Sequence, residues 1–113
     1  MLQTIINAVN DREMLSLAYG SLIHTVEPHA VGVSVATGTP VLWCFQLHAE
    51  PLAVSQCGMP KAMAVNYIGQ GYEWDVFEVA QISRLHALGR YFVNERHGYM
   101  RNNKHMSAIL AQL

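Results

Sequence analysis

A small, mainly β fold is what this sequence of 113 residues predicts: a five-stranded barrel with a helix at each end. Three observations carry that expectation. Short runs with apolar residues at every second position follow one another, separated by glycine, serine and proline. Helical spacing of apolar residues is confined to the two ends. One long run carries a proline in its middle, as a strand that bends to serve two sides of a barrel would.

Leu2, Ile5, Ile6 and Val9 repeat at i, i+3, i+4 and i+7, which predicts an N-terminal helix over residues 1–12, ended near Asn10 and Asp11. "MLSLAYG" alternates Leu15, Leu17 and Tyr19 with small residues and reads as the first strand, closed by Gly20 and Ser21. From Ile23 to Val35 the chain is again extended, with Val31, Val33 and Val35 on one face. "ATGTP" is a hairpin connection, and Val41 to Leu47 is apolar on both faces, as a central strand is. Residues 50–72 are broken by Pro51, Gly58, Pro60, Gly69 and Gly71 and read as a long loop with a short helix around 60–66. "EWDVFEV" resumes a strand and "ISRLHAL" gives a turn and a fifth one. Met106, Ile109, Leu110 and Leu113 repeat the helical spacing and predict a C-terminal helix capped near Asn102 or Asn103. Sequential short strands of this number favour a small closed barrel over a parallel sheet. Residues 13–89 form the barrel of this single domain, and 90–113 form a basic extension carrying the final helix.

Composition narrows the function classes. Half the residues are apolar, which excludes a disordered chain, and no apolar run reaches the ~18 residues of a membrane span. The first residues carry no basic stretch before their apolar part, so no secretory signal is expected and the location expected is cytoplasmic. Cys44 and Cys57 form no ligand or redox motif, and Cys44 reads as a buried structural thiol. The net charge of −1 conceals an asymmetry: residues 1–83 carry a net −5, residues 84–113 a net +4. A basic end of this kind contacts an anion, docks back on the acidic part, or docks on a second copy. The six histidines, at 24, 29, 48, 86, 97 and 105, show no ligand spacing, and no nucleophile motif surrounds any serine. No metal, no cofactor and no enzymatic activity are expected.

The segment "HTVEPHAVGV" holds the chemistry. Pro28 has no amide hydrogen and marks an edge or bulge, and Gly32 allows curvature four residues later. Glu27 and His29 flank the proline, and on a regular strand they share a face with His24 opposite. Such a carboxylate and imidazole either satisfy backbone groups opened by the bulge or line a binding spot, and the two roles are compatible. Trp43, Phe45, Trp74 and Phe77 are core residues or a stacking platform; Trp74, at the start of its strand, is the one expected to be partly exposed.

"TVEPHAVGV", then "VLWCFQ", a loop and "EWDVFEVAQI" resemble the WYL domain, a small Sm-like β-barrel. "LSLAYG" before them and "YFVNERHGYMRNNKHMSAILAQL" after them are similar to short, stand-alone relatives, so the resemblance covers nearly the whole chain. It implies a ligand-sensing or regulatory module that binds a small molecule or nucleotide. By position it points to Tyr19, His24, Glu27, Pro28, His29, Phe77 and Gln81. The chain departs from the pattern where His24, Glu78 and Gln81 stand in place of family arginines. The Trp-Tyr-Leu that names the family falls near Pro40, Val41 and Leu42. Neither histidine nor glutamine reproduces the bidentate grip of a guanidinium on phosphate, so a neutral or singly charged ligand, or a face that has lost binding, is expected. The ligand-facing residues expected are His24, Glu27, His29 and Gln81, with Arg84 at the rim. The alternative function is single-stranded nucleic-acid binding by the basic segment through Arg90, Arg96, Tyr99, Arg101 and Lys104. A homodimer is expected because a small barrel has no room to bury both helical stripes.

Overall fold

The computed structural model describes residues 1–51 and 73–113. The element order is α1 (Leu2–Asp11), β1 (Glu13–Tyr19), β2 (Leu22–Ser34), β3 (Pro40–Pro51), β4 (Glu73–Glu78), a 3-10 turn (Val79–Gln81), β5 (Ile82–Tyr91) and β6 (Met106–Gln112). The short helix expected around 60–66 lies outside the described residues. No helix among the described residues is long and apolar enough to cross a membrane.

At ten residues α1 is too short to be stable alone and is held by packing. Ile5, Ala8 and Val9 are buried against Leu15, Leu17, Val26 and Leu42 of the sheet. Full burial of Ile5 and Val9 contributes roughly 1.5–3 kcal/mol each. The helix ends where Arg12 turns left-handed (φ 57°, ψ 39°) and donates its amide to the Val9 carbonyl.

All strand pairs are antiparallel, in the order β4-β3-β2-β1-β5, with β6 paired to β2. The 13-residue β2 organises the sheet. Leu22–Val26 pair with β1, Ala30–Ser34 pair with β6, and β3 runs along the other edge of both halves. Between the halves the register against β3 slips, so that Pro28 faces Cys44 and Ala30 faces Trp43. His29 is the extra residue of this bulge, placed beside a proline that cannot donate to a ladder. The bulge expected from Pro28 is therefore present.

Two expectations need correction. The sheet has six strands among the described residues and is not closed, because β4 and β5 do not pair with each other. The segment expected as the C-terminal helix is the strand β6. Its helical spacing spans only two turns, and β2 offers an edge from Ala30 to Ser34 that β1 does not reach. Pairing that edge satisfies backbone groups an isolated short helix could not. The homodimer loses its stated ground at the same time: Met106 and Ala111 are buried within the chain, and Ile109 packs beside Met106.

Residues directly opposite in paired strands share a face. One face carries Leu15, Leu17, Val26, Val31, Leu42, Cys44 and Phe77 under α1. The Cys44 thiol is fully buried there, which raises its pKa well above the usual range and keeps it protonated, as a structural thiol is. The other face carries a smaller cluster, Ala30, Val41 and Met106, with Trp43, Tyr99 and Ile109 packed against it.

Candidate functional site

The alternation of β2 divides the stretch from His24 to His29 between the two faces. Glu27 lies opposite Phe45, on the face away from α1, while His24 lies opposite Leu17, on the helix side. His24, Glu27 and His29 are all buried, at 6%, 4% and 0% exposure, so none presents an open surface to a ligand.

His29 is the centre of the outer group. Its Nδ1 lies 2.8 Å from the Glu27 carbonyl oxygen, and its Nε2 lies 3.0 Å from the Arg96 backbone nitrogen. A carbonyl only accepts and an amide only donates, so the ring is the neutral tautomer with the proton on Nδ1. Burial lowers the His29 pKa from 6.5; the bond to Glu27 and the charges of Glu27 and Glu95 oppose that shift, and Arg96 adds to it. The His29 carbonyl accepts from the Leu113 amide at 3.0 Å and from the Tyr99 hydroxyl at 3.3 Å. Tyr99 shares that proton with the Leu113 main-chain oxygen at 3.2 Å, and burial raises its pKa. The His29 carbonyl at the bulge is thus partnered by Tyr99 and Leu113, both distant in sequence.

The Glu27 carboxylate is gripped at both oxygens by Arg96, at 2.7 Å from Nε and 3.1 Å from a terminal nitrogen. Arg96 also lies over the Phe45 ring, 4.9 Å from its centre. Around His29 stand Trp74 (4.8 Å between ring centres), Phe92 (5.2 Å, stacked) and Tyr99 (5.2 Å). Trp74 continues to Trp43 (5.2 Å), Phe45 (5.4 Å) and Tyr99 (6.1 Å). Trp43, Phe45, Trp74 and Tyr99 are each half-buried, so the rings form a continuous wall with an exposed rim. Gly98 passes over Trp74 with φ +92°, where a Cβ would sit 3.0 Å from the indole nitrogen, and that nitrogen donates to the His97 carbonyl at 3.2 Å.

A second group sits on the helix side. His24 Nδ1 is hydrogen-bonded to Gln46 Oε1, and its ring meets Phe77 at 4.8 Å. Phe77 in turn meets Tyr19 at 4.9 Å, and the Tyr19 hydroxyl accepts from the Glu78 amide at 3.4 Å. Compared with protein-family models, with curated proteins and with solved structures, the chain matches none.

Of the expected ligand-facing residues, Glu27 and His29 stand together and His24 stands apart. Gln81 ends the 3-10 turn and Arg84 lies near the start of β5; both are exposed, and β5 pairs with β1 rather than with the bulge half of β2. Of the expected nucleic-acid contacts, Arg96 holds Glu27 and Tyr99 is tied to the bulge, while Arg90, Arg101 and Lys104 are exposed. No group of three histidine, cysteine or carboxylate side chains among the described residues is arranged to hold a metal.

Two participants were missed from sequence. Gln46 lies in the run from Val41 to Leu47 that reads as apolar on both faces; counted from the hairpin without a bulge it falls opposite Glu27, and the bulge moves it opposite Val26, beside His24. Arg96 as the partner of Glu27 had only the general signal of a basic end and an acidic body.

Proposed function

We propose that this chain is a non-enzymatic binding module, a ligand-sensing or regulatory unit of the WYL type on a small Sm-like barrel. The strand order β4-β3-β2-β1-β5 supports the barrel reading. A three-residue turn joins β4 to β5, the two ends of that path, and keeps Glu78 within about 14 Å of Ile82. The binding reading rests on the aromatic wall of Trp43, Phe45, Trp74 and Tyr99, with a guanidinium at one end. Half-buried rings held in place by their neighbours offer a stacking surface for a planar ligand. The polar groups behind them, Glu27 and His29, are already partnered, which favours a neutral or singly charged ligand over a phosphate chain.

The second reading, single-stranded nucleic acid, is favoured by the exposed cations Arg90, Arg101 and Lys104 in the segment that supplies Tyr99. One titration separates the two. Both tryptophans of the chain are in the wall, so tryptophan fluorescence, excited selectively over tyrosine, reports on it. Adenosine and a short single-stranded thymidine oligonucleotide are titrated at about 50 and 200 mM salt. Quenching by adenosine with the same midpoint at both salts is the expected result. Quenching by the oligonucleotide alone, weakening steeply with salt, selects the second reading. No response to either up to ~1 mM, a binding free energy of only about 4 kcal/mol, rejects the wall as a site.

A further inference from the structure

Residues 92–105 connect β5 to β6 across the outer face of the sheet. The ends of this connection are fixed: the Phe92 amide donates to the Arg12 carbonyl at 3.0 Å, and Asn102 and Gln112 exchange bonds of 2.9 and 2.8 Å. Its middle is different. Val93, Asn94, Glu95, His97, Gly98 and Met100 are exposed, and the segment rests on β2 through the backbone and guanidinium of Arg96 and the hydroxyl of Tyr99, on β4 through the His97 carbonyl, which accepts from Trp74 Nε1, and on the Leu113 main-chain oxygen through Arg101. Two of the three attachments to β2 involve His29, and the one through Nε2 requires that nitrogen to be unprotonated.

We propose that residues 93–101 form a strap latched by neutral His29, and that a second proton on the ring lifts the strap and uncovers Glu27, His29 and the wall rings that stay on the sheet, Trp43, Phe45 and Trp74. A proton on Nε2 points at the Arg96 amide hydrogen, so an acceptor becomes a donor facing a donor. The titratable and charged groups facing the ring are Glu27 on its own strand and Glu95, Arg96 and Tyr99 on the strap. From β4 the ring meets Trp74, and the Leu113 amide approaches its carbonyl. Desolvation outweighs the two carboxylates and leaves the closed-state ring a weaker base than an exposed one. With the strap raised, the ring returns towards its ordinary value of about 6.5. Above that pH both states hold a neutral ring and pH has no leverage. Below it the raised state takes the proton first, so the ratio of open to closed rises by up to ~10-fold per pH unit until the closed-state value is reached.

Amide hydrogen exchange on the full chain, at about pH 7.5 and 5.5 and corrected for intrinsic rates, tests this. Protection of the Arg96 amide, which donates to His29 Nε2, falls at the lower pH by up to ~10-fold, while amides of β1 and its partner half of β2 keep theirs. Equal strap protection at both pH values overturns the proposal. So does loss of strap and sheet protection by the same factor, which is global unfolding. The His29→Gln chain, with no titrating group at this position, loses the pH dependence; its survival in that variant overturns the latch. His97→Gln, which changes the exposed imidazole of the strap itself, keeps it, and its loss there reassigns the switch to His97 and overturns His29. If His29→Gln does not fold, the nitrogen shifts of the His29 ring decide the matter: protonation of Nε2 and loss of strap protection share one midpoint, and separate midpoints overturn the proposal.

Discussion

Glu27 and Arg96 make an uneven pair. The Glu27 side chain is 5% exposed and that of Arg96 42%, so the carboxylate depends on the guanidinium more than the reverse. Losing one partner of a fully buried pair costs about 3–5 kcal/mol. Here Arg96 keeps solvent and the Phe45 ring when Glu27 changes, and a glutamine retains one acceptor for it. Glu27→Gln therefore lowers stability by about 1–2 kcal/mol, read from urea denaturation at neutral pH. A drop of under ~0.5 kcal/mol would mean the pair is no better than a surface ion pair.

Among the elements, β2 and β6 show how one missing side chain decides a contact. A Cβ on Gly32 would run into the Ala108 carbonyl oxygen and lie 2.9 Å from Met106 Sδ and 3.2 Å from Ile109 Cα. Gly32 was expected to serve the curvature of its strand; its role is to let the β6 backbone come close. Gly32→Ala, and more so Gly32→Val, lowers stability by about 1–3 kcal/mol. Pro28→Ala costs under ~1 kcal/mol, because the bulge is held by His29, Tyr99 and Leu113 as well as by the missing proline amide. Thermal melting of the three variants checks the order. An unchanged melting temperature for Gly32→Ala would place β6 elsewhere.

At the scale of the whole molecule, His29 ties stability to pH. Its folded-state pKa is lowered by burial, so at pH above about 6.5 the ring is neutral whether folded or unfolded and its contribution is fully present. As pH falls below 6.5 the unfolded chain binds a proton that the closed fold resists. Stability then declines by at most ~1.4 kcal/mol per pH unit from this group, and the decline ends at the folded-state value. Urea midpoints for the natural chain and His29→Gln across pH 5–8 isolate that contribution, whose absence would mean the ring is solvated in the fold.

Local pattern settled much of the architecture. The helical stripe of Leu2, Ile5, Ile6 and Val9, the alternation of "LSLAY", the hairpin at "ATGTP" and the strand "EWDVFEV" all lie where the period of their apolar residues put them, because that period is a property of neighbouring residues. Pro28 announced the bulge because a missing amide hydrogen is written in the residue itself. The tertiary structure decided the rest. Met106–Gln112 carries a helix's spacing and is a strand, since an unpaired edge 70 residues earlier outweighs the weak preference of one short segment. Arg96 met Glu27, Gln46 met His24 and Trp43 joined Trp74 through a register slip and chain crossings that no local pattern encodes. The identity of every element named above except β6 was set by interactions within a few residues; the identity of β6 and the partners of the polar groups were set by which distant segment could satisfy them without water.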